Sequence, residues 1–288
     1  MRTKTNTLYS NISTCDFDFI ALTETWLTDN ISNSEIFPSH YVVFRNDRNY
    51  NLLNSSRGGG VLLVVKNSVT CTQVDLTSII RALPTINIIC VKISLPNKNY
   101  IFVVTVYIPP STSFEDYELF TDLLSNLEDI HTNKLIIVGD FNIPNFVLNL
   151  TDKFSTLLVN FANFIDLTQY NYVRNANNHI LDLVFSNLVI TIEKSINPLV
   201  DEDNHHPALE LEFQADLVPK NKNKFHLNTE SKQYNFKKAN FLQLYESLLT
   251  VDWSKLNETN DVNVAVTAFY DILYQKFDAS VPILKFLL

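Results

Sequence analysis

From residue 17 to residue 213 the chain is a succession of short β-branched and aromatic runs, each closed by a polar, glycine-bearing or proline-bearing break. Runs of that kind fit strands buried on a pleated surface, and no other feature constrains the fold as much. They lie at 17–23, 41–44, 60–65, 88–95, 101–107, 135–138, 180–185, 189–192 and 208–213. Two segments interrupt them with helical spacing. Residues 113–130 open on Ser113 as a cap, carry Glu115 and Asp116 in the first turn, and align Tyr117, Phe120, Leu124 and Leu127 on one face. Residues 154–165 are the second. Many strands with few helices predict an α+β fold, two packed sheets flanked by helices.

Past Phe213 the texture changes. The stretch "QADLVPKNKNKFHLNTESKQ" is polar and lysine-rich and reads as a linker. Residues 238–249 and 262–277 return to amphipathic helical spacing, through Phe241, Leu244, Tyr245 and Leu248, then Ala265, Phe269, Ile272 and Leu273. The expected organisation is a domain over 1–214 and an appendage over 215–288. Charge divides at the same point. The 22 basic and 31 acidic residues, a net −9, split as 13 and 23 in residues 1–214 and as 9 and 8 in residues 215–288. Proteins that hold nucleic acid usually carry a basic face, so tight non-specific binding is disfavoured. Phosphodiester chemistry stays open, because a bound divalent cation can supply the local positive charge.

The cysteines Cys15, Cys71 and Cys90 are odd in number and lack metal-ligand spacing, which suits small core thiols in a reducing compartment. The opening "MRTKTNTLYSN" lacks the apolar core of a secretory signal, and no apolar run approaches the ~20 residues that span a bilayer. An intracellular location, nucleus or cytoplasm, with no membrane partner is expected.

One buried-looking run ends abruptly. In "KLIIVGDFNIP", residues 134–144, Gly139 frees the backbone at the strand end, and Asn142 before Pro144 forces a loop. Asp140 and Asn142 are thus delivered to one rim, where a carboxylate and an amide can share an anionic, metal-associated substrate. Other strands end in the same way. "IALTETWL" carries Glu24 just past its apolar run, and "VVTVYIPP" ends in Tyr107 before Pro109 and Pro110 stop the ladder. "NHILDLVFSN" embeds Asp182 among apolar residues, a costly site for an unpaired carboxylate. "DEDNHHPALEL" sets Asp203, His205 and His206 before the last strand. Singly, each has an ordinary explanation: an exposed loop acid, a half-buried strand aromatic, turn caps, a polar histidine turn. "SRGGGVLLVV" looks like a phosphate loop, but it lacks the Lys-Ser/Thr of one and leads into a strand. The glycines at 58–60 therefore read as a bulged strand start.

In order and context, "LTETWL", "RGGGV", "VYIPP", "GDFN", "LDLVFSN" and the His-His-Pro end resemble the endonuclease/exonuclease/phosphatase family. That family includes pancreatic DNase and the apurinic endonucleases, and the chain most resembles the endonuclease domain of non-LTR retrotransposons. The likeness covers 15–214, and the remainder resembles the linker that leads toward a reverse transcriptase. It implies a four-layered α/β sandwich and Mg²⁺-dependent phosphodiester hydrolysis of DNA, with Mn²⁺ as the alternative ion. By the family's pattern Glu24 holds the metal and Asp140 orients or deprotonates the attacking water. Asn142, Tyr107 and a histidine contact the scissile phosphate, and Asp182 orients a neighbour. The histidine stabilises the charged phosphorane or transfers a proton, roles that a tunable imidazole can fill. The family's phosphatases share these motifs, so a phosphorylated lipid or small phosphoester is the alternative substrate.

Two departures from the pattern stand out. The family begins with a strand ending in a metal-binding Asn, whereas here "MRTKTNT" opens the chain, and Asn6 and Asn11 lie outside any expected strand. An impaired retrotransposon remnant is therefore a second possibility. The usual Asp-His, one residue, then Pro becomes Asp203-Asn204-His205-His206-Pro207. If His205 aligns, its acidic neighbour is now Asn204; if His206 does the work, Asp203 can support it. Extended backbone before Pro207 predicts His205 in the cleft and His206 against the sheet.

Overall fold

A computed structural model describes residues 4–54, 57–144, 146, 151–215, 217–218, 234–257 and 261–282. The chain divides into two compact units, Met1–Lys222 and Asn223–Leu288. In order, the first holds α1 (Thr5–Ile12), β1 (Phe19–Thr23), β2 (Tyr41–Asn46), α2 (Tyr50–Leu53), β3 (Val61–Lys66), β4 (Cys71–Gln73), α3 (Thr77–Ala82) and β5 (Asn87–Ser94). It continues through β6 (Tyr100–Tyr107), α4 (Phe114–Ser125), β7 (Lys134–Asp140), α5 (Lys153–Phe164), β8 (Thr168–Gln169), β9 (Asp182–Ser186), β10 (Thr191–Lys194) and β11 (Leu209–Glu212).

A six-stranded sheet runs β4-β5-β6-β7-β9-β8, with β6 and β7 parallel and the other pairs antiparallel. A three-stranded sheet, β1-β3-β2, and the hairpin β10-β11 are antiparallel throughout. The strands read as unbroken apolar runs because both faces are covered. On β5 and β6, Ile88, Cys90, Phe102 and Val104 meet helices α3, α4 and α5, while Ile89, Val91, Ile101 and Val103 meet the smaller sheet. On β3, Val61, Leu63 and Val65 face that same interior, whereas Leu62 and Val64 pack with Leu8 and Ile12 of α1. Helices, sheet, sheet and helix make four layers, the α/β sandwich that the strand pattern and the family likeness imply.

Helix α4 starts where its sequence signals it, with the Ser113 hydroxyl accepting from Asp116 N at 3.1 Å. Composition changes at residue 215, yet the first unit runs further. Val218 N donates to Ser94 O at 3.2 Å and Thr70 N donates to Val218 O at 3.2 Å, and Leu217 packs on the intersheet core. The second unit pairs α6 (Phe241–Leu249) with α7 (Val262–Ser280), each N-capped by its preceding residue, Asn240 and Asp261. Tyr234 and Phe236 pack edge-on against Phe277 with ring centroids 5.6 and 5.3 Å away. Among the described residues no helix is long and apolar enough to cross a membrane.

Candidate active site

Strand register sets four polar side chains in one row. Asn87 on β5 stands opposite Tyr107 on β6, Tyr107 opposite Asp140 on β7, and Asp140 opposite Asp182 on β9. They share the parity of Ile89, Val103 and Ile136, so they emerge on the intersheet face, at one end of the six-stranded sheet. Gly139 makes the row possible. Its φ is +153, and a Cβ there would stand 1.8 Å from Val106 O on β6.

Asp140 is 1% exposed. Asn142, at φ 50, directs its backbone N–H to Asp140 Oδ1 at 3.1 Å, and its Nδ2 donates to Asp140 Oδ2 at 2.8 Å and to Ile108 O at 2.9 Å. Both amide hydrogens of Asn142 are engaged, so in this geometry it orients Asp140 and presents no free donor to a phosphate. That differs from the phosphate contact expected for it. Burial and the neighbouring Asp182 charge push the Asp140 carboxyl up to about 7, against the lowering effect of His206 and Asn142.

The histidine expected in the cleft is the wrong one. His206, not His205, faces the acids: its Nδ1 lies 3.0 Å from Asp182 Oδ2 and its Nε2 lies 3.7 Å from Asp140 Oδ2. His205 is exposed, its Nδ1 3.3 Å from Asn177 Nδ2 and its carbonyl accepting from Asn175 Nδ2 at 3.0 Å. Strand alternation does not operate here, because the backbone before Pro207 turns and is not extended. Asp203 Oδ1 accepts from His205 N at 2.7 Å and from His206 N at 2.9 Å, which closes a turn, and β11 starts only at Leu209. Burial opposes the charge on His206. The Asp182 hydrogen bond and the charges of Asp182, Asp140 and Asp203 outweigh it and hold the imidazole at about 9. Burial likewise raises Asp182, which His206 partly offsets.

Glu24 approaches the row from the other sheet, one residue past β1. Its Oε2 accepts from Gly59 N at 2.8 Å and from the Trp26 indole N–H, and Tyr107 hydrogen-bonds to the same carboxylate. Burial foremost, with the charges of Glu24 and Asp140, raises the Tyr107 phenol well above its ordinary value, so it stays protonated. Sequence reading missed three supporting residues. Asn87 and Arg48 lie under the glycine turn, and the buried Asn171 donates to Asp182 O at 2.5 Å. Asn87 lies just outside the apolar run at 88–95, and its importance depends on register, which the sequence does not display.

The residues fit a divalent cation. The Glu24 carboxylate, held by Gly59 and Trp26, offers oxygens suited to a hard ion, and the nearby carboxylates of Asp140 and Asp182 add negative charge that one imidazole only partly offsets. Asp140, Asp182 and His206 also bring donor atoms within 4.8 Å of one another. A cation among those three atoms would compete with the proton that His206 holds.

The fold and the strand row together set an acidic cluster, with one imidazole, at an edge of the sandwich. The model of the Endonuclease/Exonuclease/phosphatase family matches residues 1–199, and the chain belongs to that family. The match includes Glu24, Tyr107, Asp140, Asn142 and Asp182. Among solved structures the fold is similar to the endonuclease domain of TRAS1, a telomere-specific non-LTR retrotransposon, with TM-score 0.53 and 15% identity over 75% of this chain and 94% of that one. It is also similar to the Xenopus laevis APE2 catalytic domain, with TM-score 0.52 and 16% identity over 77% and 91% of the two chains. No curated protein compared with the chain matches it.

Proposed function

We propose that the first unit is a divalent-cation-dependent phosphodiesterase that nicks DNA, the endonuclease of a non-LTR retrotransposon. The observation that carries the reading is the His206–Asp182 pair facing buried Asp140, in one strand row with Tyr107. Hydrolysis of a phosphodiester needs a base for the attacking water and donors for the oxygens that gain charge. Asp140, titrating near neutrality, accepts the proton of the water, and Asn142 fixes its orientation. His206 is the proton-bearing group, kept charged by Asp182, and donates toward the phosphoryl or leaving oxygen. Glu24, oriented by Gly59 and Trp26, is the ligand for Mg²⁺ or Mn²⁺. When bound, the ion would act as a Lewis acid toward the phosphate oxygens and offset the clustered carboxylates.

Likeness to a retrotransposon endonuclease supports DNA over a lipid or small phosphoester as substrate. Purified protein is expected to nick supercoiled plasmid with Mg²⁺ and to stop when the ion is chelated. Nicking that persists in chelator and in Asp140→Ala would sink the assignment. Faster phosphate release from inositol phosphates than turnover of plasmid would overturn the choice of DNA.

A further inference from the structure

The glycine turn at 58–60 lies directly beneath Glu24, and the buried Asn87 and half-buried Arg48 hold it. Asn87 is 3% exposed, and its Oδ1 accepts from Gly60 N at 3.0 Å and from Arg48 Nε at 3.1 Å. Arg48 Nη2 donates to Thr85 O at 2.5 Å, and its guanidinium carbon stands 5.3 Å from the centre of the Tyr107 ring. The turn is laced to the Glu24 segment in turn: Thr25 N donates to Gly60 O at 3.3 Å, Trp26 N to Gly59 O at 3.0 Å, and Gly59 N to Glu24 Oε2 at 2.8 Å. Glu24 and Trp26 sit at φ 50 and 54, a conformation that persists in such residues only where the surroundings over-determine it. The glycines are required for the same reason. At φ 73, a Cβ on Gly59 would fall 2.2 Å from Arg48 Nε and 2.7 Å from Asn87 Oδ1.

We propose that Asn87 and Arg48 are positioning residues: they clamp the glycine turn and thereby aim the carboxylate of Glu24 and the hydroxyl of Tyr107. A direct grip of Arg48 on a phosphate is the weaker alternative, because Nε and Nη2 are already engaged and the guanidinium lies over Tyr107. The consequence for cation binding rests on Glu24 being the metal ligand, but the clamp itself needs no ion. Trp26 reports on it, since its indole is bonded to Glu24 and the one other tryptophan, Trp253, lies in the second unit.

The test uses the full chain carrying Trp253→Phe, with acrylamide quenching of Trp26 and Mn²⁺ titration as readouts. Asn87→Leu removes the shared acceptor, whereas Asn87→Asp keeps an acceptor oxygen in place. Quenching of Trp26 is expected to rise in Asn87→Leu, and Mn²⁺ affinity to fall about tenfold or more, as when partners of a metal ligand are lost. Asn87→Asp is expected to restore both. Should Asn87→Leu fail to fold, Arg48→Met keeps the apolar stem and removes the guanidinium, with the same rise in quenching expected. A folded Asn87→Leu, or Arg48→Met in its place, with unchanged Trp26 quenching overturns the proposal. A wild type that neither binds Mn²⁺ nor nicks, with Trp26 still loosened in the variant, would remove the functional reading and leave the clamp standing.

Discussion

The two sides of the cleft hold their carboxylates by different means. On the β1 side, Glu24 is half-buried on an irregular, positive-φ segment, and its carboxylate is oriented by a backbone amide, an indole and a phenol. On the β7–β9 side, Asp140 and Asp182 lie in regular strand register; Asn142 donates to Asp140 too, but the charge of both acids is met by one imidazole. Neutral donors aimed at a carboxylate leave its charge in place for a cation. Two carboxylates crowded into a buried row shift their proton affinities and become a proton-handling device. Under the proposed function, one acidic cleft would divide into a cation side at Glu24 and a proton side at Asp140, Asp182 and His206.

The largest effect expected from this division is at Asp140. Asp140→Asn keeps the shape and removes the base, and nicking is expected to fall about 10³-fold, within the usual range for general-base loss. If Asp140 belongs to the proton side, Mn²⁺ affinity measured on the same variant should change little. A large loss of affinity with modest loss of rate would break the division.

Next comes the choice of histidine. His206→Ala is expected to lower nicking about 10²-fold, a typical cost for one proton-transfer group, and His205→Ala to leave the rate near wild type. Plasmid nicking by the two variants decides it, and the reverse order would return His205 to the cleft.

Smaller effects should appear in pH profiles. In the proposed mechanism Asp140 acts ionised and His206 acts protonated, so nicking should rise through about pH 7 and fall through about pH 9, with limbs that belong to the coupled set. Asp182→Asn removes the main support of the imidazolium, and the alkaline limb should move down toward neutrality. Stability follows the same signs. Both groups bind protons more tightly folded than unfolded. The Asp140 contribution is therefore lost as pH rises from the ordinary carboxyl value of 3.8 through about 7, and the His206 contribution is lost from 6.5 through about 9. Melting should be lower at pH 9.5 than at pH 6, and His206→Ala should remove the upper part of that fall.

What the sequence displayed was whatever local pattern encodes. The β-branched runs locate β3, β5, β6 and β7, and Ser113 locates the start of α4, because burial and capping act over a few residues. Helix α1 escaped notice because it buries only Leu8 and Ile12, and the three-residue β4 is too short to leave a period. Glu24, Tyr107 and Asp140 were legible as rim residues at strand ends, and Asp182 as an acid inside the run 180–185, whereas β9 begins at Asp182 itself. Their alignment with Asn87 was not legible, since register arises from pairing between distant segments. The histidines were misread because an Asp203-capped turn replaced the extended backbone that the reading assumed.

The division itself is tested most directly by Mn²⁺ titration calorimetry on Glu24→Gln and His206→Ala. If Glu24 is the cation ligand, Glu24→Gln should lose affinity by about tenfold or more, and His206→Ala should bind Mn²⁺ at least as well as wild type. Affinity kept in Glu24→Gln and lost in His206→Ala would put the ion among Asp140, Asp182 and His206, and would contradict the account.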